Sequence, residues 1–116
     1  MRLVPPQTEL LTAVLDISQA QHTVLAANIA NANTPGYRRR EVDFERSLVR
    51  LLEGNGPKRG GIVVREADEP PRLDGNNVDV DQELAAMFQN ALLYQVTSQI
   101  VSVRFNLMRR ALSGAA

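Results

Sequence analysis

The 116-residue chain reads as a mainly α protein in which two long terminal helices pair as a coiled-coil-like hairpin around a short, loop- and β-containing middle. Three observations predict this. Helical apolar periodicity occupies both ends of the chain. Five of the seven glycines and three of the six prolines fall between residues 38 and 78. The 44% apolar content is mostly Leu, Val, Ala and Ile, with three Phe, two Tyr and no Trp, which suits helix–helix packing. A chain of this length forms at most one domain. It divides into an N-terminal helix and turn (1–37), a central segment (38–78) and a C-terminal helix (79–116).

The first helix is expected from about Thr8, as N-cap, to Ala32, after Pro5 and Pro6. Leu10, Val14, Ile17, Gln21, Val24 and Asn28 follow alternating 4-3 spacing along one face. Leu11, Leu15, Ser18, His22, Leu25 and Ile29 follow a second face. The helix then meets Asn31-Ala32-Asn33-Thr34-Pro35-Gly36-Tyr37. Asn33 is placed where a left-handed residue would end it. Pro35 and Gly36 at the centre of the next four residues predict a type II turn, with positive φ at Gly36.

In the middle, Phe44–Leu52 reads as a short helix and Gly60–Arg65 as the one strand, between Gly-Gly and the Asp68–Pro71 breaker. The second long helix begins at Asp79-Val80-Asp81-Gln82, a capping box in which Asp79 takes an orphan N–H and Gln82 reaches back. One seam then runs through Leu84, Met87, Ala91, Tyr94, Ser98, Val101, Phe105, Met108 and Leu112. A second runs through Leu93, Val96, Ile100, Val103 and Leu107. Residues 80–112 contain neither Gly nor Pro, so the helix extends for about 45–50 Å.

Leu11, Val14, Leu25, Leu84, Met87, Ala91, Val101, Phe105 and Met108 are the expected helix-packing residues. Both helices are nonetheless apolar around more than half their circumference, and such helices require several neighbours. The segment 53–78 has too few bulky residues to cover them. Other copies of the chain, or related chains, are the simplest source. A soluble helical adaptor or regulatory module, binding one partner helix in its groove, is the alternative.

Function classes are narrowed further by charge and chemistry. Thirteen basic residues balance thirteen acidic ones, so no bulk field recruits nucleic acid, and no direct lipid binding is expected. The charge is uneven: residues 73–83 carry −4 and residues 84–116 carry +3, an order that suits the dipole of the second helix. With no cysteine, disulfides and thiolate metal sites are ruled out. The prolines of "MRLVPPQTEL" interrupt any secretory-signal pattern. A cytoplasmic location, or export without a cleaved signal, is the expectation.

His22, the single histidine, has no second His or Cys to work with, so catalysis is not expected of it. "DGNNVDVDQE" fails EF-hand spacing, because Gly75 directly follows Asp74 and Glu83 comes too early. Arg38-Arg39-Arg40, followed by Glu41, Asp43 and Glu45, reads as a solvated or interface-paired face. No enzyme, cofactor or metal site is expected.

Taken as a string, "LAANIANANTPGYRRREVDFE" (25–45) resembles the N-terminal signature of the bacterial flagellar rod and hook axial proteins. It carries Asn28, Ile29, Asn31, Asn33, Thr34, Pro35, Gly36 and Tyr37. "DGNNVDVDQELAAMFQNALLYQ" (74–95) resembles the C-terminal signature of that family, through Asn76, Asn77, Val78, Glu83, Asn90 and Tyr94. Size and the direct passage from Thr34-Pro35 to Gly36-Tyr37 bring the chain closest to the proximal-rod members. Its middle is brief even among these, so a small central β element is expected to be reduced.

The resemblance implies a torque-transmitting subunit of the basal-body rod, which crosses the periplasm. It implies type III export without a cleavable signal, and self-assembly through the terminal helices. The partners implied are this chain itself, the rod proteins FlgC, FlgF and FlgG, the FliE adaptor and the export gate. The motif residues, asparagines above all, are expected at contacts between subunits.

Overall fold

The computed structural model describes residues 6–114 and shows three helices and a two-stranded sheet. Helix α1 spans Pro6–Ala30, strand β1 Arg40–Val42 and helix α2 Phe44–Leu52. A 3-10 turn at Pro57–Arg59 leads to strand β2, Val64–Glu66, and helix α3 runs over Val80–Leu112. The helices α1 and α3 lie against each other as an antiparallel hairpin, and the molecule measures 66 × 26 × 17 Å.

Helix α1 is already under way at Pro6, so Thr8 lies in its first turn and is not its N-cap. The capping position falls outside the described residues. At the other end, Asn33 does not adopt positive φ. The helix leaves instead through short turns, Ala32 N–H to Ile29 O (3.2 Å) and Thr34 N–H to Asn31 O (3.0 Å). No left-handed cap is needed, because side chains from elsewhere satisfy the last carbonyls. Asn76 Nδ2 donates to Asn31 O (2.8 Å) and Arg72 Nη2 to Ala32 O (2.7 Å).

Helix α2 is capped by Asp43, whose carboxylate accepts from Arg46 N–H at 3.1 Å. Its one buried residue is Ser47, and Ser47 Oγ accepts from Val63 N–H at 2.9 Å. Strand β1 has no counterpart in the sequence reading. It is three residues long and pairs antiparallel with β2, Arg40 opposite Glu66, Glu41 opposite Arg65 and Val42 opposite Val64. The expected strand at Gly60–Arg65 starts later, at Val64, because Gly60, in left-handed geometry as the end of the 3-10 turn, and the bend after it occupy its first half. Both α2 and β1 pack on α1. The middle therefore does cover part of one helix, through a segment upstream of residue 53.

Helix α3 follows its expected bounds. Asp79 caps it by accepting from Asp81 N–H (3.1 Å) and Gln82 N–H (3.4 Å), while Gln82 is exposed and makes no return bond. The face that α3 turns toward α1 is polar: its buried residues are Glu83, Asn90 and Thr97, each seven apart. On α1, Ala13, Ile17, Ser18, Leu25 and Asn28 are buried. Leu11, Val14, Met87 and Val101 are half-buried, but Leu84, Ala91, Phe105 and Met108 are exposed. Within one chain, the packing role expected of these four falls to Glu83, Asn90 and Thr97. The seven-residue spacing that faces α1 starts at Glu83, one position before Leu84.

Candidate functional site: the polar joint of the hairpin

The two signature segments are separated by residues 46–73 in the chain, yet they dock on each other where α1 ends and α3 begins. Asn28 is fully buried at the centre. Its Nδ2 donates to Arg40 O (2.8 Å) and to Glu83 Oε2 (3.2 Å). Its Oδ1 accepts from Arg40 N–H (3.0 Å) and from the Tyr37 hydroxyl (3.0 Å). The side-chain amide thus pairs with the Arg40 peptide as a neighbouring strand would.

Glu83, one turn into α3 and 1% exposed, completes this centre. Arg39 Nε donates to Glu83 Oε1 at 2.6 Å, and Arg39 Nη1 reaches Glu69 at 2.9 Å and Glu41 at 3.4 Å. Burial works against the Arg39 charge, but hydrogen bonds and Coulombic attraction from Glu83 and Glu69 outweigh it, so its pKa is raised. The guanidinium therefore stays charged, and Glu83 has a permanent counter-ion. The basic run divides accordingly: the Arg39 side chain is only 14% exposed, while Arg40 remains on the surface.

Asn76 and Asn77 fasten the opposite side. Asn77 Oδ1 accepts from Arg39 N–H (2.6 Å), and its Nδ2 donates to Ala67 O (3.3 Å) and Glu69 O (3.1 Å). Asn76 Nδ2 bonds Asn31 O and Thr34 O (2.8 and 2.9 Å), while Asn76 Oδ1 accepts from Val78 N–H (2.7 Å). Val78 is buried beneath them. The Thr34–Tyr37 turn closes with Tyr37 N–H to Thr34 O at 3.2 Å and a Gly36 φ of 76°, as a type II turn requires. Gly36 N–H then donates to Asp74 O at 2.8 Å. Gly75, at φ 85°, lies so close that a Cβ there would stand 3.2 Å from Gly36 Cα. Each signature thus contains a glycine turn, and the two turns touch.

Further along the hairpin a second clasp joins the helices. Asn90 Nδ2 donates to Ser18 O (2.7 Å), and Ser18 Oγ donates to Asn90 Oδ1 (2.9 Å). Asn28, Asn76, Asn77, Glu83 and Asn90 are therefore buried and bonded inside the chain. Ile29, Asn31 and Tyr37 are half-buried, and Asn33, Thr34, Pro35, Gly36 and Tyr94 are exposed.

Arg39, Arg72 and Gly75 belong to the joint, and Ser18 to the second clasp, without having stood out in the sequence. Ser18 and Arg39 look like ordinary members of a helix face and a charge run, and only long-range contacts select them. Gly75 had a legible signal in the Asp-Gly turn dipeptide.

The polar atoms of the joint are satisfied by one another, and His22 is exposed on α1. Among the described residues no His, Asp and Glu cluster to hold a metal ion, and no helix is long and apolar enough to cross a membrane.

Residues 17–38, which include Asn28 and the turn, match the family described as "Flagella basal body rod protein". Similar over much greater length is the flagellar basal body rod protein FlgB of Salmonella typhimurium, 29% identical across 86% of this chain and 88% of its own. That of Escherichia coli K12 is 32% identical across 76% and 79%, and that of Borrelia hermsii 30% across 90% and 94%. With both signatures docked in one joint and relatives matched over 79–94% of their own length, the chain belongs to the FlgB family of flagellar basal body rod proteins.

Proposed function

We propose that this chain is a structural, non-enzymatic subunit of the flagellar basal-body rod that polymerises through its terminal helices and transmits torque. One observation carries the reading: α3 turns its polar stripe inward and its apolar residues outward. Phe88, Leu92, Val96, Val103, Phe105 and Leu107 are all more than half exposed. A helix built this way is completed by neighbours, and buried apolar surface is what would hold them. The relatives support the location in the basal body and assembly with other rod components. Within that frame FlgC, FlgF, FlgG, the FliE adaptor and the export gate are the proposed partners, and a periplasm-crossing position reached by type III export is the proposed setting. The adaptor alternative draws no support from the relatives.

The test is genetic and structural together. Flagellated cells lacking the chain should stop at rod assembly. Cells carrying Val103→Asp should make the chain normally but build few basal bodies, because the charge would have to enter an interface. Complete rods in cells without the chain would refute the proposal.

A further inference from the structure

Helix α3 carries two uncovered apolar faces. Leu84, Phe88 and Leu92, four apart, form one; Leu93, Val96, Ile100, Val103 and Leu107, in alternating 3-4 spacing, form the other. At about 100° of rotation per residue, the two are centred roughly 100° apart around the helix. No charged residue occurs from 84 to 103, so α3 itself brings no charge to either face, and the charges lining the neighbouring groove, Arg39 and Glu41, pair with each other.

The faces differ in shape. The first presents Phe88, 74% exposed, as a projecting ring. The second opens at its joint end into a groove of about 340 Å³ between α1, β1 and α3. Val24, Leu25, Val42, Phe44, Ala86 and Leu93 form the apolar part of its walls. With facing directions about 100° apart, a two-fold pair would have to bury knob and hole in a single patch, whereas a repeating head-to-side contact takes up each on its own face.

The surface area agrees. A compact protein of 12.8 kDa exposes about 6,300 Å², whereas this chain exposes 8219 Å². The excess, about 1,900 Å², is more than twice the roughly 800 Å² that each partner contributes to a standard interface. One dimer contact would leave half of it open; two different contacts per chain would use it.

We infer that a second copy of this chain is the occupant, with Phe88 of one copy seated in the groove of the next. This deepens the rod reading and rests on it. The contact is heterologous, so every copy donates a knob and receives one, and the array stays open at its ends.

The absence of cysteine makes the test clean. Basal bodies are isolated from cells carrying Val24→Cys, Phe88→Cys or both, then oxidised and separated without reductant. The double variant should give a ladder beyond the dimer, and neither single variant a dimer. A Phe88→Cys dimer would mean a two-fold contact and overturn the inference. A double variant that enters basal bodies without cross-linking would place the contact elsewhere and leave the rod reading standing. Absence of the unmodified chain from basal bodies would remove both. A benzophenone side chain at position 88 gives an independent measurement. Adducts on the groove residues of another copy support the contact, and adducts only on a different protein overturn it.

Discussion

Arg39 is the counter-ion of a carboxylate, Glu83, that water does not reach. Removing one member of a buried, hydrogen-bonded pair strands the other, at a cost of about 3–5 kcal/mol. Arg39→Met should therefore lower the unfolding free energy by that order, measured by urea denaturation followed by circular dichroism. Glu69→Ala removes a partner that is 49% exposed, and should cost about 0–1 kcal/mol. Equal effects would mean that Glu83 does not depend on Arg39. Gly36 makes a separate demand, since its φ of 76° is poorly tolerated by β-branched residues. Gly36→Val should strain the turn and impair motility, and normal swimming would show that the turn is dispensable.

At the scale of elements, the hairpin is aligned by polar contacts more than by apolar ones. An apolar seam slides at little cost, whereas a buried amide that loses its partner is left unsatisfied. The Ser18–Asn90 clasp and the Asn28–Glu83 contact set the alignment of α1 on α3 at two points. Ser18→Ala leaves Asn90 Oδ1 without its donor and should cost about 1–3 kcal/mol. Adding Asn90→Leu removes the stranded amide and should recover most of the loss. A double-mutant cycle by urea denaturation tests this, and simple additivity would show that the two residues act independently.

For the whole molecule, the contrast between a polar interior and an apolar exterior sets its behaviour. Most of the buried side chains lie around the joint, while the last turns of α3 touch little of the chain. A helix without tertiary contacts does not recover its backbone entropy. Helicity measured by circular dichroism should therefore rise with protein concentration, or on addition of rod components. A fully helical, sharply melting monomer at low concentration would contradict subunit-driven ordering.

Local information in the sequence was enough for α2, for the full span of α3 and for the type II turn at Gly36. Each is specified by residues within a few positions: an Asp cap, an uninterrupted helical run, a Pro-Gly pair. The resemblance of both signatures to the rod family was also carried by contiguous residues. Tertiary structure alone decided which face of α3 turns inward, that β1 exists, and that Asn28, Asn76, Asn77 and Asn90 bond within the chain. Helical periodicity lists apolar faces without saying which meets the partner helix, and a three-residue strand has no pattern until β2 lies beside it. "NIANANTPGY" ends a helix by its own chemistry, but Arg72 and Asn76, arriving from far along the chain, are what satisfy that ending.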